Sequence, residues 1–541
     1  MDINEKSTEI LTEEIEENLS YQEKPLFNLT KNDLIFSVCA LVFSIFTAIF
    51  GFFSGFALGY LLSTVLLFTA LIIYFSKGSK ISVFPIVCGI ISLLNCAVFI
   101  CTTNGSVKFF AVLTNLFLIL ISLDGFVNAD SKGNKKTFAI FVSAISTMGN
   151  LDITVKSLFT NVNGEKKSLG KILIGLVCAI PVLIVVVPLL ISSDDAFKGL
   201  VSNIFSNCFA TILKALLGII ISIFIISYAF SIKAGRIYKL KENIFAGIDN
   251  IYMVSFLTTI SGCYILYLFS QLAYFFSAFK GFLPYEKITY AQYARKGFFE
   301  MCIIAVINLC IVVISLLLAK KKNSKVSYSI RILTTFISLF TLIIIATSIS
   351  KMILYINTYG MTVLRLTTSA FMLFLAVVFI SLIFRIYINK INVIKTALIT
   401  AGLITLVLGT VNVNSVCAKY NYDAYITKQL KTIDVEAIYQ LGDEGIPYIV
   451  KLSVSKNDEI AIEARRYLAK IYLYDYFDNM ENAENFTLED LKKNQNNNDF
   501  GSFSIPKHIA YESLYKFIEN NPKFASYCQD YYHLEEWHHH I

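Results

Sequence analysis

The chain has 541 residues, 56% of them hydrophobic and only 16% charged, with a formal net charge of +7. A soluble domain carries roughly 25% charged residues, and here the apolar residues fall in unbroken runs of about the 18 residues or more that cross a bilayer. That pattern excludes a soluble globular protein. The bases sit in short loops between the runs, so the basic total reads as membrane orientation and excludes a nucleic-acid partner.

Residues 1–33 hold nine acids against three bases and are nearly free of aromatics. They read as a disordered acidic cytoplasmic tail. The first apolar run starts at Leu34 and is too long for a cleaved signal, so it reads as an anchor.

Residues 34–414 read as a multi-span membrane domain. The expected spans are 34–53, 55–75, 81–101, 109–126, 172–191, 209–230, 252–275, 299–319, 331–350, 368–386 and 393–413, about eleven in all. They must be helices, because lipid offers no partners to unpaired backbone groups. Pro181 and Pro188 should kink the fifth. Residues 137–159 contain an apolar stretch, Phe138 to Met148, that is too short to cross, and read as an interfacial helix.

Lys and Arg crowd alternate loops. Lys132, Lys135, Lys136, Lys166, Lys167, Lys171, Lys233, Arg236, Lys239 and Lys241 fall on one side, with Lys320, Lys321 and Lys322. The other side holds far fewer, among them Lys108, Lys198, Arg295, Lys351 and Arg365. The positive-inside bias puts the N-terminus in the cytoplasm. An odd number of spans then puts the C-terminus outside. Abundant Lys, Ile and Asn suggest an AT-rich bacterial genome, and hence a bacterial cytoplasmic membrane.

Residues 415–541 change character and read as an extracytoplasmic helical-hairpin domain, with twenty acids against thirteen bases. A short helix from Asp434 is closed by Gly442. A second starts at Glu444 with Pro447 in its first turn. A third is capped by Asn457, with Ile460, Ala464, Leu468 and Ile471 on one face. Asn494 to Asn498 form a polar linker, and 506–530 add one or two helices. The fold class is therefore all-α, a polytopic bundle followed by a small helical domain.

Motifs of known chemistry are missing: no phosphate-binding loop, no nucleophile elbow, no zinc-protease helix. All five His lie at or beyond position 508, so the membrane part has none for haem, zinc or proton relay. The His- and Glu-rich end, His533 to His540, reads as an exposed terminus or tag rather than a metal site. No cofactor and no metal are expected. Most Cys read as small buried hydrophobes; a Cys417–Cys528 disulfide is an open option.

One constellation falls on the expected outer face. Asp194 and Asp195 follow the fifth span, and Lys214 opens the sixth. Tyr290, Tyr293, Arg295 and Glu300 precede or open the eighth. Tyr355, Tyr359 and Arg365 surround the turn after the ninth. Bases there run against the orientation bias, so something must offset them. Two readings stand: interfacial belt residues that snorkel, or a shared polar pocket for an anionic lipid headgroup or peptide. Asn95, Asn115, Gln271 and Asn308 lie inside spans, where interhelical hydrogen bonding is the usual role.

Three stretches carry a resemblance. Ser193-Asp194-Asp195-Ala196-Phe197, Tyr293-Ala294-Arg295-Lys296-Gly297-Phe298-Phe299-Glu300, and Tyr359-Gly360-Met361-Thr362 with Arg365 resemble signatures of the bacterial membrane family catalogued as domain of unknown function 4173. The stretch from Gly442 to Leu452 is similar to a turn in that family's tail. The resemblance implies architecture and a shared outer pocket, and no activity. Taken together, the sequence supports a non-enzymatic envelope sensor, scaffold or accessory factor, with the bilayer, an anionic ligand and a protein partner for the ectodomain as its contacts. A transporter or lipid flippase, and an intramembrane enzyme, stay open as alternatives.

Overall fold

A computed structural model describes residues 30–52, 56–75, 83–127, 147–151, 186, 195–233, 248–280, 298–320, 326–388, 391–472 and 502–524. Among these the chain is all-helical, with no strand beyond an isolated bridge between Ile248 and Ala319. Ten helices are long and apolar enough to cross a membrane. They match ten of the expected spans in order. The remaining one, 172–191 with Pro181 and Pro188, lies outside the described residues apart from Val186, as do the tail before Thr30, most of 137–159, the 494–498 linker and the His-rich end.

The membrane helices are α1 (Lys31–Phe46), α2 (Leu58–Phe75), α3 (Val83–Asn95) with its short continuation α4 (Val98–Cys101), α5 (Gly105–Val127), α6 (Asp195–Lys233) and α7 (Asn250–Lys280). They continue with α8 (Phe298–Leu318), α9 (Tyr328–Tyr359), α10 (Val363–Tyr387) and α11 (Val393–Thr410). Large apolar side chains such as Ile73, Ile251 and Leu266 stay more than two-thirds exposed. In a span these are the lipid-facing positions, since the bilayer solvates them as well as a protein core does.

The chain forms two compact units: one of Met1–Cys96, Leu116–Glu242 and Asp499–Ser502, the other of Ala97–Asn115, Asn243–Asn498 and Phe503–Ile541. In the first, α1 begins with a capping box. The Thr30 side chain accepts from the Asp33 N–H, and the Asp33 carboxylate accepts from the Thr30 N–H at 2.7 Å. Asp33 is fully buried in the first turn of a span, although its position in the sequence reads as the end of a polar tail. Further along, α1 packs against α6 so closely that a Cβ at Gly218 would lie 2.5 Å from the Ile45 Cα. Small residues at helix contacts are how helices associate in lipid, where no hydrophobic force separates protein from solvent.

In the second unit, α7, α8 and α9 are tied inside the membrane. The Tyr264 hydroxyl donates to Asn308 Oδ1, and Asn308 Nδ2 donates to the Thr341 hydroxyl at 2.9 Å. This is the interhelical bonding expected of Asn308. Along α9, Thr334, Ser338 and Thr341 donate their hydroxyls to carbonyls one turn back, which satisfies these donors within the helix.

The C-terminal region of this unit holds α12 (Val413–Ile426), α13 (Val435–Tyr439), a 3-10 turn (Gly442–Glu444), α14 (Ile446–Leu452), α15 (Asp458–Lys470) and α16 (Ile505–Asn520). The local chemistry is as read from sequence. The Asp434 and Asn457 side chains cap α13 and α15, and a proline sits in the first turn of α14. Ile438, Ile449, Leu452, Ala464, Leu468 and Leu514 form its core. Cys417 is a free, fully buried thiol. Cys528 lies outside the described residues.

Candidate functional site

The most elaborate polar arrangement in the described residues centres on Glu444, in the second unit. The turn Gly442-Asp443-Glu444-Gly445 is built to aim this side chain. Gly442 sits at φ +73°, where L residues are strained, and a Cβ at Gly445 would fall 2.1 Å from the Ile438 carbonyl oxygen. Glu444 is only 3% exposed. Its Oε1 accepts the Thr103 N–H at 2.8 Å and the Asn412 amide at 3.1 Å; its Oε2 accepts the Thr103 hydroxyl at 2.5 Å. The Thr102 hydroxyl adds a longer contact at 3.4 Å.

The donors come from helix ends. Thr102 and Thr103 lie between α4 and α5. Asn412, at φ +59°, lies between α11 and α12. It also donates to the Cys101 carbonyl at 2.8 Å. Beside it, Asn104 donates to Asn414 Oδ1 at 2.8 Å, and Asn414 donates to the Leu441 carbonyl at 2.9 Å. Lys108, buried in the first turns of α5, faces the charges of Glu444 and Asp443. A buried carboxylate is tolerated only when hydrogen-bonded and charge-compensated, and this one is both. The acids of the 442–445 turn offset the charge of Lys108.

A second contact joins the same domain to another helix turn. The Asn421 side chain on α12 accepts the Met361 N–H at 2.7 Å and donates to the Met361 carbonyl at 2.8 Å. Gly360, at φ +81°, ends α9, and a Cβ there would meet Asn421 Oδ1 at 2.6 Å. Thr362 caps α10 by accepting the Arg365 N–H. The Arg365 guanidinium turns back over the end of α9. It donates to the Gly360 and Tyr359 carbonyls and lies 4.1 Å from the Tyr355 ring centroid. Tyr355 and Tyr359 meet edge to face at 5.2 Å.

Of the sequence-selected pocket residues, Tyr355, Tyr359 and Arg365 therefore do converge, around a helix-to-helix turn. Glu300 opens α8, exposed, in the same unit. Asp195 opens α6 and Lys214 lies along it, in the other unit. Asp194, Tyr290, Tyr293 and Arg295 lie outside the described residues. Sequence reasoning missed Glu444, Asn412, Asn414 and Asn421. The available signals were the glycine-bracketed acid of the 442–445 turn and the Asn412-Val413-Asn414 alternation just past a span.

The first unit has its own node at the start of α1. The Asp33 carboxylate accepts the Tyr74 hydroxyl at 2.7 Å and pairs with Lys233 at the end of α6. No group of three or more His, Cys, Asp or Glu among the described residues could hold a metal.

A family model described as domain of unknown function (DUF4153) matches residues 63–452. This overturns the resemblance to domain of unknown function 4173: the two are different families. Short aromatic-and-basic stretches recur at membrane interfaces for physical reasons, so they discriminate families poorly, whereas the match extends over most of the chain. It runs from within α2 to the last residue of α14 and takes in every part of the Glu444 and Arg365 arrangements. No curated protein and no solved structure matches the chain.

Proposed function

The chain belongs to the DUF4153 family, and on that premise we propose that it is a non-enzymatic envelope protein, a sensor, scaffold or accessory factor whose C-terminal helical domain is held on the membrane domain. One observation carries the reading: Glu444 and Asn421 bind the domain to two separate helix turns, near Thr103 and Met361. The polar groups there are occupied in holding helix ends together.

The proposed setting is a bacterial cytoplasmic membrane with the N-terminus inside. The excess of Lys and Arg in alternate loops supports that orientation. The proposed ligand is an anionic group, a lipid headgroup or acidic peptide segment, at the turn carrying Tyr355, Tyr359 and Arg365. Arg365 supports it, since a guanidinium has five donors and its bonds to the Tyr359 and Gly360 carbonyls use one nitrogen.

Purification from native membranes tests the proposal. A protein partner or a co-purified anionic lipid is expected, with Arg365→Ala losing the lipid and Glu444→Ala losing the partner. A protein that purifies alone, with neither variant changing what is bound, would count against it. So would solute flux or lipid scrambling in reconstituted vesicles, which belongs to the transporter alternative.

A further inference from the structure

We infer that the C-terminal domain is strapped to the helix turns at Thr103 and Met361, on the membrane face opposite Asp33, with Glu444 as its catch. Chain order and hydrogen bonds carry this, with no count of charges, and it deepens the proposed function without resting on its orientation.

Asp33 stands at the start of the first crossing. Three candidate spans, Lys31–Gly51, Leu58–Phe75 and Val83–Cys101, then lead to Thr103. An odd number of crossings puts Thr103 on the face opposite Asp33. Glu444 is hydrogen-bonded to the Thr103 N–H and hydroxyl, and Asn414 is bonded to Asn104. A side chain cannot make these bonds across a bilayer whose hydrocarbon core is about 30 Å thick. The domain carrying Glu444 therefore shares the Thr103 face. The Asn421–Met361 pairing agrees, because only two candidate spans, Val363–Tyr387 and Val393–Thr410, separate those residues. That even number returns the chain to the same side.

The test uses single cysteines at two exposed positions outside both nodes, Lys31→Cys and Lys456→Cys, in full-length protein with its native cysteines replaced. Each is treated with a membrane-impermeant maleimide before and after permeabilisation. The inference expects one position labelled in intact cells and the other only after opening. Labelling of Lys456→Cys first also agrees with the cytoplasmic N-terminus; labelling of Lys31→Cys first keeps the inference and overturns that orientation. The same behaviour at both positions overturns the inference. A protease site inserted in the exposed turn at 454–457 reports the same face with every native cysteine retained, and cleavage on the N-terminal face would likewise overturn it.

Discussion

Thr103 gives both its backbone N–H and its hydroxyl to the two oxygens of Glu444, a residue 341 positions further along the chain. That pairing is what makes the C-terminal domain part of the membrane protein rather than a tethered appendage. It also sets how the arrangement should fail.

Glu444→Ala removes, in a buried site, the acceptor of the Thr103 N–H and hydroxyl and of one Asn412 amide bond, together with one of the two charges that face Lys108. A loss of about 3 kcal/mol is expected, the scale of stranding one half of a buried pair. Glu444→Gln keeps an acceptor oxygen and should lose less. Thermal unfolding in detergent, with protease release of the C-terminal domain as the second readout, checks the order of the two.

Gly360→Ala should destabilise by about 2 kcal/mol, from a left-handed backbone angle together with a clash on Asn421. Since that clash involves the same amide that pairs with Met361, Gly360→Ala and Asn421→Ala should not add. A double-mutant cycle measures the coupling, and simple additivity would contradict the geometry.

Arg365→Lys keeps the charge but loses the guanidinium that lies over the Tyr355 ring and reaches the carbonyls at the end of α9. A loss of about 1 kcal/mol is expected, against about 2 for Arg365→Ala. If co-purified anionic lipid falls with Ala but survives with Lys, the turn binds by charge. Equal loss in both points to the cap alone.

Asp33 is fully buried, whereas the Lys233 side chain is 33% exposed. Lys233→Met strands a buried acid and should cost about 3 kcal/mol. Adding Asp33→Asn to it removes the stranded charge while Tyr74 and Thr30 keep their contacts. The double variant should therefore be more stable than Lys233→Met alone in the same unfolding assay.

Burial pushes the Cys417 thiol from 9.0 up to about 12, with Arg365 pulling weakly the other way. The folded value is raised, so this stabilising contribution is full below about pH 9 and is lost as pH climbs towards 12. Alkylation of Cys417 in folded protein at pH 8.5 should be negligible and should appear on unfolding. Mass spectrometry of the labelled peptide reads it directly.

The spans were legible because lipid admits so few backbone solutions. Asp434, Asn457 and Pro447 were legible because caps and first-turn prolines act on their own neighbours. Glu444 was not, because its meaning depends on a loop more than three hundred residues away. Asp33 reads as tail by charge composition, and the Thr30–Asp33 capping box is the local signal that puts it in the first turn of α1. Arg365 stands out by its charge on the expected outer face, and the structure shows it donating to the carbonyls at the end of α9, a local contact that no charge count contains.

The most direct measurement of the central claim is a cross-link between Asn104→Cys and Asn414→Cys in native membranes. The wild-type side chains meet at 2.8 Å, so a short oxidative or bis-maleimide link should form in high yield. A protease cut introduced between them should then leave the fragments joined. Fragments that separate, while a Thr114→Cys/Thr405→Cys control across a hydroxyl contact of 3.3 Å stays joined, would mean that the domain is not strapped to the membrane helices at all.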